Sequence, residues 1–350
     1  MAGYADFSFT EIWARIGGAA DSVLANSSLA PRGIVVDLPD EERDALQSLV
    51  SPMVADLEAL RLQTLETVDK RARLLVPLAG GAAFIALLLG GQGLVSALIF
   101  GALAAVAGWF LAMGNRASKY QAAVKSRIAP VTTGLLAGFD HAVEPETDLA
   151  RVRDWQLFPK LQSARTLDRV AGVKNGVAVR LSEMQVGYSS SAKLDTIDHT
   201  LSFAVFEVQV ASDGIGAIAL TPDDAPPRLL AEQAKSDGLR ATLTGDADFD
   251  RVYRVRVNPP DALSALTPDL RSAILGLAVV APAGRPYVVL TPEYLVVLFP
   301  TLHADLAFHV PPYWVPIDAQ ALVAQFASDL AVRTKLLNAV LDLSFPRARE

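Results

Sequence analysis

Residues 74–113 read LLVPLAGGAAFIALLLGGQGLVSALIFGALAAVAGWFLAM, a tract with no charged side chain. A hydrocarbon core roughly 30 Å thick takes about 20 helical residues to cross. The tract therefore predicts two passes, Leu74 to Leu89 and Leu94 to Met113, joined by a turn at Gly90-Gly91-Gln92-Gly93. The first pass is near the short end of the spanning range, so it starts a turn earlier or the bilayer thins around it. Lys70, Arg71 and Arg73 precede the hairpin, Arg116, Lys119, Lys125 and Arg127 follow it, and the turn carries no charge. By the positive-inside rule both flanks and both termini are expected in the cytoplasm.

Working outward, Gly93, Ala97, Gly101 and Ala105 recur every fourth residue along the second pass, and Ala79, Ala82, Ala83 and Ala86 thin the first. Small faces let helices approach closely where lipid removes any hydrophobic drive for association. They serve packing within the hairpin or a homo-oligomeric contact. Pro77 lies in the first turn of its helix, where a missing amide is tolerated. Trp109 is placed as an interface anchor near the cytoplasmic end. With no ionisable residue inside the passes, a transport role is not expected.

Leu46, Val50, Met53, Leu57 and Leu60 form one helical stripe before the hairpin; Tyr120, Val124, Ile128, Val131, Leu135 and Phe139 form another after it. Two such stripes leaving one side of the membrane predict either an antiparallel stalk or two helices packed on the soluble domain. Pro52 and Pro130 weigh against straight helices. The expected layout is an N-terminal segment over 1–40, a juxtamembrane helix over 41–73, the hairpin over 74–113, a helix and linker over 114–147, and a cytosolic domain over 148–345. Thr10 with Glu11 to Leu24 suits one short amphipathic helix, and Ala30 to Asp40 has linker composition. Met1 to Asp40 lacks the pattern of a cleavable signal peptide.

From about Asp148 the pattern is α+β, on a mainly antiparallel sheet. Ala204, Phe206, Val208 and Val210 alternate with Val205, Glu207 and Gln209, and Tyr253, Val255 and Val257 with Arg254 and Arg256, predicting half-buried strands. Val177, Val179 and Leu181 share one parity while Met184 and Val186 share the other, predicting a bulge near Ser182-Glu183. Tyr287 to Leu290 and Leu295 to Phe299 read as interior strands around a Thr291-Pro292-Glu293 turn. Thr267-Pro268-Asp269 opens a helix with Leu270, Ile274 and Leu277 on one face. A final helix after Asp318 turns Leu322, Phe326, Leu330, Leu337 and Leu341 inward.

After the second pass the chain carries Leu157-Phe158-Pro159, Asp168-Arg169-Val170-Ala171-Gly172, a strand ending Leu181-Ser182-Glu183, a strand over Phe203 to Val210, the stretch Asp248 to Val255, and Ala265-Leu266-Thr267-Pro268. In this order and spacing, from about Ala112 to Leu343, it resembles the bacterial family catalogued as domain of unknown function 3137. The resemblance implies a short hairpin in the inner membrane ahead of a cytosolic α+β domain, and no established activity. Where many members have a more extended acidic or aromatic segment, this chain has Tyr188-Ser189-Ser190-Ser191.

A net charge of −7 and a pI near 5.2, with no basic, aromatic-interleaved surface, exclude a general nucleic-acid binder. The absence of cysteine excludes disulfide and thiol chemistry. His141, His199, His303 and His309 are scattered, and the last two are spaced unlike helical metal ligands, so no metal or cofactor is expected. Gly214-Ile215-Gly216 reads as a turn, and Asp246, Asp248 and Asp250 as a solvated turn without the glycine and glutamate of a calcium loop. Asp168 and Glu183 are the best candidates for a functional polar pair; the plainer role is a cap and a strand-end hydrogen bond. Three functional readings follow: a membrane-tethered interaction or scaffolding module with a protein partner, a lipid- or small-ligand-binding module at the bilayer surface, and a carboxylate-dependent hydrolase.

Overall fold

The computed structural model describes residues 40–114, 116–134, 139–143, 145–188, 199–210, 216–235, 238–281, 283–301 and 312–343. They fall into two compact units: residues 47–128 with 312–324, and residues 40–46 and 129–301 with 325–343.

Helix α1 (Asp40–Val50), which begins in the second unit, gives way to a single 3-10 turn, Ser51–Met53, and then to α2 (Val54–Leu89) of the first. Pro52 lies in that turn, where its missing amide interrupts the helical ladder. From Val54 onward nothing but Pro77 disturbs the ladder, so the juxtamembrane helix expected over 41–73 is no separate element; its larger part continues into the first apolar tract. Gly91, at φ +75°, turns the chain, and α3 (Leu94–Met113) runs back. Helix α4 (Arg116–Gly134) follows after Gly114.

Helices α2 and α3 are long and apolar enough to cross a membrane, and they meet through their small residues. A Cβ on Gly108 would stand 2.7 Å from the Leu75 carbonyl, and one on Gly101 3.2 Å from the Gly80 carbonyl. Bulk is turned outward instead: Leu78 is 61% exposed, Leu89 84%, Val95 70%, Phe110 63% and Leu111 69%.

Outside the apolar tracts, helices α2 and α4 touch the stretch 312–318. Arg61 forks onto Glu58 at 2.6 and 2.8 Å and donates a third hydrogen bond, 3.1 Å, to the Tyr313 carbonyl, while Glu58 accepts the Ile317 amide at 3.1 Å. Tyr120 of α4 meets the Tyr313 ring edge-on at 6.2 Å. The stripes on α2 and α4 are thus joined by a stretch of chain that comes after the sheet, which a two-helix stalk alone would lack.

The second unit is built on a nine-stranded sheet, antiparallel at every junction, in the order β1-β2-β3-β4-β9-β8-β5-β7-β6. Its strands are β1 (Phe139–Val143), β2 (Leu161–Lys174), β3 (Val177–Tyr188), β4 (His199–Gln209), β5 (Ala217–Pro222), β6 (Arg240–Thr242), β7 (Tyr253–Asn258), β8 (Tyr287–Leu290) and β9 (Tyr294–Thr301). Among the described residues its helices are α5 (Leu149–Asp154), α6 (Pro227–Ala234), α7 (Ala247–Asp250), α8 (Pro268–Val280) and α9 (Ala319–Leu341). Thr267 caps α8 by accepting the Leu270 amide at 3.3 Å, with Pro268 behind it.

Both faces of the sheet are covered. On one, Val179, Leu181, Phe206, Val208, Val297 and Phe299 pack with Leu270 and Ile274 of α8 and Leu337 and Val340 of α9. On the other, Met184, Val186, Phe203, Val205 and Leu298 pack with Val152 of α5, Leu229 of α6 and the Trp155–Phe158 turn. The result is three layers with two cores.

Three expectations are corrected here. The domain begins before residue 148, because Phe139–Val143 pairs with β2 as an edge strand; Phe139 fits a helical stripe equally well, and only the pairing partner decides. The irregularity near Ser182-Glu183 belongs to β2, where Leu167 is the extra residue between the Thr166↔Met184 and Asp168↔Glu183 pairs. Strand β3 changes no parity there; Val177, Val179 and Leu181 face one core while Met184 and Val186 face the other. For the same reason β4 is not half-buried, and Glu207 is 5% exposed.

Candidate functional site

Asp168 and Glu183 are brought side by side, directly opposite each other across the β2–β3 ladder and facing α8 and α9. Like charges in opposed cross-strand positions repel, and each carboxylate here has its own cationic or ionisable neighbour. His141 of β1 places its Nε2 3.3 Å from Asp168 Oδ1, with the two side chains 2% and 1% exposed. Arg333 of α9 donates from Nη2 to Glu183 Oε1 at 2.9 Å. Both acids sit in mid-strand, so the expected cap and strand-end roles do not hold. They belong to a side-chain network that includes His141 and Arg333, drawn from β1, β2, β3 and α9 and enclosed between sheet and helix.

The opposite face of the same strands carries a second polar cluster. Glu207 of β4 lies directly across from Arg180 of β3 and accepts from its Nη1 at 3.3 Å. The same Glu207 oxygen accepts a short hydrogen bond from Arg151 of α5, whose guanidinium lies 4.0 Å above the Tyr294 ring. Asp148 caps α5 by accepting the Arg151 amide, which fixes where that side chain starts. A small cleft of about 60 Å³ opens beside the cluster, lined among others by Arg169, Arg180, Ser182 and Thr166.

A third group is Arg256 of β7, 4% exposed, which donates to the Gln156 carbonyl at 2.6 Å. Burial pulls its guanidinium down to about 10, far below the ordinary arginine value. In the first unit, an open cleft of about 500 Å³ is lined by Met53, Asp56, Ala59, Leu60, Gln63 and Arg127.

Of the hairpin residues, Ala97 and Gly101 are buried, and Ala105 stands 3.0 Å from where a Cβ on Gly80 would sit. A Cβ on Gly93 would meet no described atom within 4 Å; Gly93 is the exposed N-cap residue of α3, and its carbonyl accepts the Ala97 amide. Gly108, which breaks the interval of four, takes the closest contact instead. Before the hairpin, Lys70 pairs with Glu66 at 2.6 Å and Arg73 with Asp69 at 2.9 Å, each one helical turn apart. Arg71 and Lys119 are exposed and Arg116 is half-buried.

Asp246 caps the short helix α7, accepting from Asp248 and Phe249, while Asp250 accepts from Thr244 and Gly245. The acidic triplet is therefore a turn that satisfies its own backbone. Among the described residues no three His, Cys, Asp or Glu side chains converge as a metal site. The side chain of His199, and all of His303, His309, Gly214, Ile215, residues 189–191 and residues 10–24, lie outside the described residues.

Sequence reasoning missed Arg333, Arg180 and Arg151. Arg333 had a visible signal, since with Phe326, Leu330 and Leu337 it completes the inward stripe of α9 at helical spacing. A cation on a buried stripe calls for a buried acid. Arg151 and Arg180 gave no such signal, because their shared partner Glu207 sits on what reads as a solvent face.

No family model matches the chain, and no curated protein matches it. Among solved structures, it is similar to the crystal structure of the mycobacterial trehalose monomycolate transport factor A, with a TM-score of 0.31 and 12% identity, over 67% of this chain and 98% of that one. A correspondence that loose carries no argument about fold or activity.

Proposed function

We propose that the chain is a two-pass inner-membrane protein of the bacterial family catalogued as domain of unknown function 3137, with both termini cytoplasmic. Its sheet domain acts by holding a protein partner at the membrane rather than by catalysis. The membrane placement rests on one observation: Leu78, Leu89, Val95, Phe110 and Leu111, all more than half exposed, lie on two packed helices without a charge between Leu74 and Met113. An apolar surface of that kind is stable in lipid and not in water.

The non-catalytic reading is supported by enclosure. Asp168 and Glu183 are 1% and 4% exposed, so no substrate reaches them without α9 moving, and each is held by a neighbouring side chain. Catalytic carboxylates need a reachable reacting atom within hydrogen-bond distance.

The test has two arms. A reporter fused after Glu350 that is active only when exported should stay silent; activity would overturn the topology. Asp168→Asn and Glu183→Gln should leave any hydrolytic activity of the purified full chain unchanged. A hydrolysis lost in both variants at unaltered melting temperature would make the pair an active site. A partner cross-linked in cells should persist in both variants to the extent that they fold.

A further inference from the structure

Of the arginines lining the small cleft, Arg169 is the one whose side chain makes no hydrogen bond or ion pair with any described residue. It projects from the same face of the sheet as Arg180 and Glu207, half-buried, directly across from Ser182. Arg180 lies across from Ala171, two residues farther along β2, so the two guanidinium groups are diagonal neighbours on one face with Ser182 beside them. Diagonal positions on adjacent strands are about 7–8 Å apart at the backbone, within reach of long side chains.

Arg151 donates one short hydrogen bond to Glu207 and is further held by the Tyr294 ring. Arg180 gives Glu207 only one bond, at 3.3 Å. Each guanidinium carries five N–H donors in a fixed fork. Among the described residues no acceptor engages the Arg169 fork, and Glu207 alone engages that of Arg180. Three arginines and three carboxylates line the cleft, but Glu207 is the buried one among those acids.

Carboxylates also stand near: Glu146 and Asp148 line the cleft and Asp140 lies across from Ala171, but all three are exposed. Charges facing water are screened and weak, and the half-buried Arg169 is screened less than they are. Asp148 in addition is turned toward the α5 backbone as its cap. The room of about 60 Å³ is on the scale of two water molecules' share of liquid, enough for a small oxyanion head.

We infer that Arg169, Arg180 and Ser182 form a binding site for a phosphate group. Two arginine forks and a hydroxyl approaching from different directions suit a tetrahedral oxyanion, since a planar carboxylate is already satisfied by one fork. The phosphate comes either from a soluble phosphate compound or from the head of an anionic lipid, and the chemistry at the arginines is the same. The inference does not depend on the scaffolding role.

The test uses the full chain purified in detergent, at constant ionic strength. Inorganic phosphate, followed by calorimetry, should bind saturably to the wild type. Arg169→Gln and Arg180→Gln should each weaken it at least tenfold, and Ser182→Ala less. Arg169→Gln should keep the wild-type melting temperature without phosphate, so that lost binding is not lost folding. A short-chain phosphatidic acid and glycerol phosphate then compete with inorganic phosphate. Tighter competition by the lipid assigns the site to a headgroup; equal competition assigns it to soluble phosphate. No saturable binding, or binding that Arg169→Gln leaves unchanged, overturns the proposal.

Discussion

Two polar clusters sit back to back on strands β2 to β4, one under α9 and the other beside α5, and they differ in closure. In the first, His141, Asp168, Glu183 and Arg333 are enclosed, with His141 set against Asp168 and Arg333 against Glu183. In the second, one buried acid, Glu207, is shared by two arginines that are 25% and 39% exposed at the side chain, with a third arginine beside them. The difference separates two uses of charge. A closed, matched network adds little net stability over an apolar core, yet it ties β1, β2, β3 and α9 into one arrangement, because any other leaves a buried charge alone. An open cluster with surplus donors holds capacity for something from outside.

The largest expected effect breaks the closed network. Glu183→Ala strands the Arg333 guanidinium beside the sheet, and losing one partner of a buried pair costs about 3–5 kcal/mol. In a domain of this size that is a fall of about 6 °C or more in the thermal midpoint of the full chain. Replacing both partners together, Glu183→Leu with Arg333→Met, should restore most of the loss, since apolar groups of similar volume suit that layer. If the double variant is no better than the single, the network contributes more than register.

Second is Glu207→Ala. Its removal leaves Arg151 and Arg180 without their carboxylate, but both side chains reach water, so the expected cost is smaller, about 1–2 kcal/mol. A loss in thermal denaturation equal to that of Glu183→Ala would mean that the second cluster is as closed as the first.

How much of this contrast could be read from sequence depends on locality. The hairpin was legible because absence of charge over Leu74–Met113 is a local property, and so was the Thr267-Pro268 cap. Asp168 and Glu183 were found as a pair, but not their partners: His141, Asp168, Glu183 and Arg333 are joined only by strand pairing and by a helix 150 residues beyond Glu183. Strand alternation misled at Glu207 because it assumes one wet face, and this sheet has none over β4. Phe139 misled because one strand residue can continue a helical stripe by chance.

Third, the Glu58–Arg61 fork in the other unit is an intermediate case for comparison, since its acid is 29% exposed and its arginine 8%. The Arg61 guanidinium holds the Glu58 carboxyl below the ordinary carboxylate range, helped by the Ile317 amide. A depressed folded pKa means that the unfolded chain takes up the proton first as pH falls. The contribution is therefore full above the ordinary carboxylate range and disappears as pH drops through the folded value. The thermal midpoint of the wild type should fall more steeply between about pH 5 and pH 3 than that of Arg61→Met, by under about 1 kcal/mol. Parallel curves would mean that the fork contributes nothing beyond its geometry.

The smallest expected effect is the sharpest for the comparison. The Arg169 side chain makes no bond with any described residue and lines the open cleft, so Arg169→Gln removes no interaction among the described residues. The glutamine keeps much of the apolar stem that lies on the sheet, and the change should stay within about ±0.5 kcal/mol in thermal denaturation without added ligand. Relief of repulsion among Arg151, Arg169 and Arg180 favours the upper half of that interval. A clear destabilisation would show that Arg169 is held by the protein itself, making the second cluster another matched network. A neutral or slightly stabilising result leaves an arginine that the fold does not need, and contact with a molecule from outside is then the remaining use for its position.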